Sequence, residues 1–222
     1  MGSADRKERE KEIRRTDIIE AAERIIFAKG YDAATMDDVA KEAQFSKRTV
    51  YIYFNSKEQI YFEIMARGYR RLLELLEQDG TGSPAGSAPE EIRRIGWLFY
   101  RFGIEFPDYF QAIMEYENGE MDFLKGVPDS SREECYALGE KIMERLISIL
   151  DRGLAEETLR FEGDSRRTAL VLWASIVGIF NMARRKKHYL EHYYQTTGEQ
   201  LISEAFDLLL RSIARPAGGE FQ

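Results

Sequence analysis

The chain contains a single cysteine, Cys135, and only two histidines, His188 and His192. One thiol excludes an intramolecular disulfide framework and fits a reduced, cytoplasmic setting. Glu133 and Glu134 beside it would raise the thiol pKa, which argues against a redox sensor. No Gly-rich phosphate loop, no G-x-S-x-G and no Cys/His pairing occurs, so no catalytic arrangement is visible and the chain is read as a non-enzyme. The two histidines stand four apart, as a helical metal pair would. Glu191, the nearest third ligand, falls on another part of the helix circumference, so neither a metal nor a cofactor is expected. No apolar run approaches the roughly 20 residues of a membrane span, and the opening M-G-S-A-D-R-K-E-R-E-K-E is too charged for a secretory signal. Alternating strand patterns are missing as well.

What remains is a helical composition. The 222 residues are 44% apolar and 32% charged, enough for one large or two modest domains with real cores. A net charge of −7 argues by itself against a nucleic-acid partner. The charge is uneven, however. Residues 1–59 hold twelve Lys/Arg and twelve Asp/Glu, so the whole excess of acid lies in the remaining 163 residues. A local basic face on a neutral segment is sufficient for DNA, with strong salt dependence as its consequence.

That neutral segment carries the most informative stretch, T-M-D-D-V-A-K-E-A-Q-F-S-K-R-T-V-Y-I-Y-F-N-S-K from Thr35 to Lys57. Thr35 is a good N-cap, and Asp38 can close a capping box. Val39, Ala40 and Ala43 then form a small apolar stripe. Ser46 caps a second helix on which Val50 and Phe54, with Tyr53 beside them, face inward, while Lys47, Arg48, Tyr51 and Ile52 project outward. Two short helices joined by a three-residue turn are the layout of a helix-turn-helix, whose second helix enters the DNA major groove. Two cations and an aromatic suit phosphates and base edges. Ser56 caps a third helix, with Gln59 completing its box. Lys57 then sits in the first turn, where a bound phosphate would relieve the unfavourable helix dipole.

A-E-R-I-I-F-A-K-G-Y-D-A-A-T-M-D-D-V-A-K-E-A, followed by F-S-K-R-T-V-Y-I-Y-F-N-S-K-E, resembles the N-terminal DNA-binding domain of the TetR family of transcriptional regulators. The resemblance runs from about Arg14 to Tyr61 and is strongest from Ser46 to Glu58. It implies a homodimer with an N-terminal three-helix domain and a larger helical domain whose effector releases the DNA. By position in the motif, Thr49 and Tyr51 would touch bases, and Thr35, Tyr53 and Lys57 would hold phosphates. Two positions depart from the family pattern. Gln44 stands where Gly is usual in the turn, which would cost roughly 1 kcal/mol if the backbone there is left-handed. Arg48 stands where many relatives have Gly, and adds a guanidinium able to fork onto guanine or phosphate.

The rest of the chain reads as helix throughout, giving nine or ten helices and an all-α protein. Helices are expected from about Arg9 to Lys29, with Gly30 as a stop, and from Ser56 to Gln78. A loop of flexible composition, Asp79 to Pro89, follows. Further helices are expected over Pro89–Phe106, Pro107–Tyr116, Ser131–Glu156, Ser165–Tyr189 and Thr197–Ile213. A brief helical piece to Leu124 and a turn at Gly126 to Pro128 complete the reading. The domain boundary is placed within the long helix, giving residues 1–61 for DNA binding and 62–222 for effector binding and dimerisation.

Large rings crowd the region after Trp97. Trp97, Tyr100, Phe102, Phe106, Phe110, Met114 and Phe123 are candidates for lining an apolar effector pocket, where the resemblance also places it, with Glu105 and Glu115 as polar anchors. Given Glu105, Glu115, Glu117 and Glu120, the effector is expected to be apolar or amphiphilic, and neutral or cationic. The last two helices expose broad apolar surfaces. Leu172, Ile176 and Phe180 on one, and Leu201, Ala205, Phe206 and Leu209 on the other, are candidates for a dimer interface. The basic run Arg184–Lys187 reads as a helix C-terminal cluster favoured by the dipole. The expected function is a ligand-responsive repressor of an operator in double-stranded DNA. A helical protein-interaction or metal-sensing module without sequence-specific DNA binding is the alternative.

Overall fold

The computed structural model describes residues 3–80, 86–117 and 130–215. Among these there are ten α-helices: α1 (Ser3–Lys29), α2 (Met36–Glu42), α3 (Lys47–Tyr53), α4 (Lys57–Gln78), α5 (Ala88–Glu105), α6 (Pro107–Glu117), α7 (Ser130–Ala155), α8 (Ser165–Arg185), α9 (Lys187–Tyr189) and α10 (Gly198–Ile213). A π-helical turn, Leu190–Tyr194, separates α9 from α10. The described residues contain no strand, only one isolated bridge between Leu159 and Ala214. None of the described helices is long and apolar enough to cross a membrane. The expected helical piece to Leu124 and the turn at Gly126–Pro128 lie outside the described residues.

Most helix ends follow from local chemistry. Gly30 adopts φ +83° and stops α1, and its N–H still donates to Ile26 O at 2.8 Å. Capping boxes open α2 at Thr35/Asp38 and α10 at Thr197/Gln200. Asp164 caps α8 by accepting from the Arg167 N–H at 2.8 Å. Two boundaries differ from the sequence reading. The first helix begins at Ser3 rather than Arg9, and the surface pair of Lys11 with Glu8 reaches into its charged opening. The helix from Ser165 does not run on to Tyr189 but breaks at Lys186, whose backbone (φ −117°, ψ 29°) is no longer helical.

The chain forms two compact units. The first comprises the described residues of Met1–Arg70 and Phe106–Leu138; the second those of Arg71–Glu105 and Gly139–Gln222. The division therefore falls within α4, at Arg70 rather than Tyr61, and α6 with the start of α7 joins the first unit. The reason is packing. Tyr61 donates from its buried hydroxyl to Ala112 O at 2.9 Å, Tyr109 donates to Glu23 at 2.9 Å, and Phe27 meets Tyr109 edge-on at 5.4 Å. Arg67 holds Glu23 at 3.0 Å, and Arg15 pairs with Glu63, which is almost fully buried. In the second unit, Ala88, Leu146, Leu150, Ala169, Leu172 and Leu210 form the centre of a core drawn from α5, α7, α8 and α10. Arg152 pairs there with the buried Glu91.

Candidate DNA-binding surface and ligand cavity

The α2–turn–α3 segment is built by three local devices. Thr35 Oγ1 accepts from the Asp38 N–H at 3.1 Å, and the Asp38 carboxylate accepts in return from the Thr35 N–H at 3.1 Å. Hydrogen bonds donated to that carboxylate, first by the Thr35 hydroxyl and then by Lys29, hold the Asp38 pKa below the usual carboxylate range. The turn closes with Gln44 N–H donating to Lys41 O at 3.1 Å and Phe45 N–H to Ala40 O at 2.9 Å. Gln44 sits between them at φ +57°. This is a Schellman motif with glutamine in the glycine position, so the turn keeps its geometry and carries the strain of a left-handed side-chain residue. Ser46 then caps α3, accepting from the Thr49 N–H at 3.1 Å.

Within α3, Val50 and the following Phe54 are buried, which fixes the helix roll. The opposite side presents Lys47, Arg48, Tyr51 and Ile52, all exposed, with Thr49 and Tyr53 half-buried at its margins. Lys47 is not a free arm. Its ammonium meets Asp37 at 2.8 Å, and that hydrogen bond raises its pKa. Thr49 Oγ1 lies 2.8 Å from Ser46 Oγ, and Thr35 Oγ1 donates to Asp38 at 2.8 Å, so both hydroxyls are tied into caps.

Lys57 departs most from its expected place. Its Nζ donates to Tyr31 O at 2.6 Å and Ala34 O at 2.9 Å, with Asp32 O at 3.4 Å, and it lies 4.2 Å from the Tyr31 ring centroid. The lysine thus bridges α4 to the loop between α1 and α2, and its donors are used by carbonyls rather than pointed at a ligand. Gln59 differs in a smaller way. Ser56 Oγ accepts from the Gln59 N–H at 3.1 Å as expected, but Gln59 Oε1 reaches the Asn55 N–H at 2.7 Å instead of completing the box on Ser56.

The second unit encloses an apolar cavity of about 50 Å³. Leu72 and Leu76 of α4, Ile92, Gly96 and Phe99 of α5, Ile142 and Leu146 of α7, Leu172, Trp173 and Ile176 of α8, and Phe206 and Leu209 of α10 are among its walls. Among the described residues, Arg93 is the one charged residue in the lining, and it meets the cavity with its alkyl stem, since almost no polar surface faces in. Gly96 is there for space, since a Cβ at that position would stand 2.9 Å from the Phe206 ring.

Among the described residues, none of the side chains expected around a pocket lines this cavity. Trp97 and Tyr100 lie on the neighbouring strip of α5, Trp97 edge-on to Tyr100 at 5.4 Å and to Phe206 at 5.8 Å. Phe102 is wholly buried core. Phe106, Phe110 and Met114 belong to the first unit, and Phe123 lies outside the described residues. The polar anchors are elsewhere too. Glu105 pairs with Arg101 at 3.1 Å, and Glu115 accepts from Gln111 at 2.7 Å in the first unit. Helical periodicity explains the shift. The face at 92, 96 and 99 turns inward, and a dense run of rings cannot all share it.

The proposed interface residues divide. Leu172, Phe180 and Phe206 are buried within the chain, Phe180 edge-on to Phe99 at 5.3 Å. Ile176 and Leu209 line the cavity, and Leu201 and Ala205 are half-buried. The outward apolar residues of these helices are instead Leu170, Val171 and Met182 on α8 and Leu208 on α10, with Leu208 63% exposed. Cys135 is buried, and burial first, then Glu117, Glu63 and Glu134, push its thiol up to about 12. His188 lies in α9 and His192 in the π-helical turn; no cluster of three potential metal ligands occurs among the described residues.

Residues 18–64 match the family model described as bacterial regulatory proteins, tetR family. The chain carries a TetR-family helix-turn-helix domain. Among curated proteins it is 37% identical over 68 residues to YfiR of Bacillus subtilis, a helix-turn-helix-type transcriptional regulator. That stretch covers 31% of this chain and 33% of YfiR, so the likeness spans about a third of the relative. Among solved structures, the MbdR regulator of Azoarcus sp. CIB superposes with a TM-score of 0.62 at 18% identity, covering 88% of this chain and 96% of that one. AibR, solved with isovaleryl coenzyme A and operator DNA, gives 0.63 at 19% identity, over 89% and 98%. At such identities the structural likeness is one of fold, and it extends well beyond the TetR-family domain.

Three features escaped the sequence. Lys57 as a carbonyl anchor had no signal, because its acceptors come from residues 23 to 26 positions away. Gly96 as a spacer was visible only as a glycine within a helix. The Arg93–Asp207 pair, 114 residues apart, forms only when α5 and α10 pack together.

Proposed function

We propose that this chain is a ligand-responsive transcriptional regulator, most simply a repressor, that binds an operator in double-stranded DNA and leaves it when a small molecule fills the cavity of the second unit. The observation that carries the reading is α3 itself. Its roll is fixed by Val50 and Phe54, and its outer side offers Arg48, Lys47 and Tyr51 to a groove. With Lys57 turned to carbonyls, Arg48 and Tyr51 are the groups to read bases. Thr35, Tyr53 and the N–H groups at the start of α4 remain at the edges for phosphate. The site of action would be the cytoplasm.

The apolar lining suits an apolar or amphiphilic effector, and AibR offers a parallel in a protein of like fold seen with an acyl thioester and DNA. Leu72 and Leu76 give the cavity a purchase on α4, the same continuous helix that begins just after α3. A ligand that shifts the far end of that helix would tilt the end next to α3. The unit of binding would be a homodimer, because two copies of α3 spaced by a helical turn of DNA read a two-fold operator. The outward residues Leu170, Val171, Met182 and Leu208 would form its contact.

Fluorescence anisotropy on the promoter DNA of its own operon tests the reading. Wild-type protein should bind it far better than scrambled DNA, and Arg48→Ala should lose about 1–3 kcal/mol of discrimination at one base pair. Equal affinity for both DNAs would point to the protein-interaction alternative.

A further inference from the structure

Ile52 is 73% exposed, the most exposed large apolar side chain among the described residues, and it stands on α3. Folding gives no reason for it. The side chain covers little of the protein, and a β-branched residue on a helix surface is a slightly poorer helix former than Lys, Gln or Ala. Its place on the helix is the informative part. Val50 is fully buried, and Arg48 and Ile52 lie two residues before it and two after it. At about 100° per residue each is roughly 200° from Val50, so the two straddle the outermost line of the helix about 40° apart. Tyr51 and Lys47, the latter held by Asp37 at 2.8 Å, lie to one side of that line, and the half-buried Thr49 lies to the other. The ridge that α3 presents first to a groove is therefore one guanidinium and one aliphatic group.

We propose that Ile52 is a specificity residue that packs on the methyl group of a thymine in the major groove, about one or two base pairs from a guanine read by Arg48. This rests on the DNA-binding reading of α3 and deepens it. An isoleucine has no donor or acceptor, so the hydrogen-bonding pattern of the base edges is closed to it. The one apolar group on those edges is the thymine methyl. Against adenine or cytosine the same side chain would strip water from an amino group and give nothing back, so the contact both favours thymine and penalises its competitors. The spacing follows from the helix. Positions four apart are about 6 Å apart along the axis, and bases on one strand are about 3.4 Å apart, so the two side chains reach base pairs no more than about two steps from each other.

The test uses the full-length protein and the duplex that it enriches from a randomised pool. Each thymine of that duplex is replaced in turn by deoxyuridine, which removes the methyl and keeps the hydrogen-bonding edge. Wild type, Ile52→Ala, Tyr51→Ala and Arg48→Ala are then titrated by fluorescence anisotropy. At one thymine of each half-site, deoxyuridine should weaken the wild type about fourfold, the factor that burying one methyl-sized group is worth, and leave Ile52→Ala unaffected. Ile52→Ala should keep the wild-type melting temperature and salt slope, since neither core packing nor a phosphate contact is lost. Arg48→Ala should lose discrimination at a guanine within about two base pairs of that thymine. A deoxyuridine penalty that persists in Ile52→Ala and vanishes in Tyr51→Ala would give the methyl contact to Tyr51 and overturn the assignment. A duplex in which no thymine is sensitive would overturn it too, and in both cases DNA recognition by α3 would stand. Failure to enrich any sequence from the pool would sink the DNA-binding reading and this proposal together.

Discussion

Replacing Lys57 by alanine separates two roles for a residue that the motif offers to DNA and the fold uses internally. In the structure its ammonium donates to Tyr31 O at 2.6 Å and Ala34 O at 2.9 Å; the third acceptor, at 3.4 Å, is too long to count for much. Hydrogen bonds to a charged group contribute about 1.5–3 kcal/mol each, and here the lower end applies because the lysine is only half-buried and the carbonyls can be rehydrated. The cation over the Tyr31 ring adds roughly 0.5–1 kcal/mol. Allowing for the freedom regained by the released loop, the net loss should be about 2–3 kcal/mol. For a chain of this size that corresponds to a fall in melting temperature of roughly 5–10 °C. The assay is thermal unfolding alongside operator titration over a range of salt. A structural Lys57 gives a lower melting temperature, with operator affinity falling through disorder of the α1–α2 loop. A phosphate-binding Lys57 gives an unchanged melting temperature and a log–log salt slope smaller by about 1, and that result would refute the reasoning.

Interior and exterior faces of α10 should respond differently to the same charge. Phe206→Glu buries an unpaired carboxylate and should destabilise the chain by about 3–5 kcal/mol in denaturant titration. Leu208→Glu, on the exposed face, should leave monomer stability within about 0.5 kcal/mol and, if the proposed dimer contact is right, turn a sedimenting dimer into a monomer. Gly96→Val would force the Phe206 ring aside at a cost of about 1–3 kcal/mol, read from the denaturation midpoint. The α2 cap supplies a pH signature. Because the Asp38 pKa is lowered in the folded chain, its contribution is fully present above the unfolded value of about 3.9 and is lost as pH falls through the folded value. The stability gap between wild type and Asp38→Asn should therefore be constant near neutrality and close in acid; a gap that widened in acid would contradict the capping geometry.

What the sequence determined by itself was local. Thr35 with Asp38, Ser46 and Gly30 act on backbone groups within four residues, so their effects were legible without any fold. The same is true of α3, where Val50 and Phe54 inward imply Arg48 and Tyr51 outward by helical geometry alone. The all-α class and the position of most helices followed from the same short-range periodicity. Packing decided the rest. A pattern of apolar residues says that a helix has a buried face but not what covers it, so Leu172, Phe180 and Phe206 passed equally well for interface and for core. The rings after Trp97 were countable, yet which of them met a cavity depended on how α5 rolled against α8 and α10. Lys57 and Arg93 show the limit most clearly. Each owes its role to partners distant in sequence, the carbonyls of the α1–α2 loop in one case and Asp207 in the other, and those encounters exist only once the helices have packed.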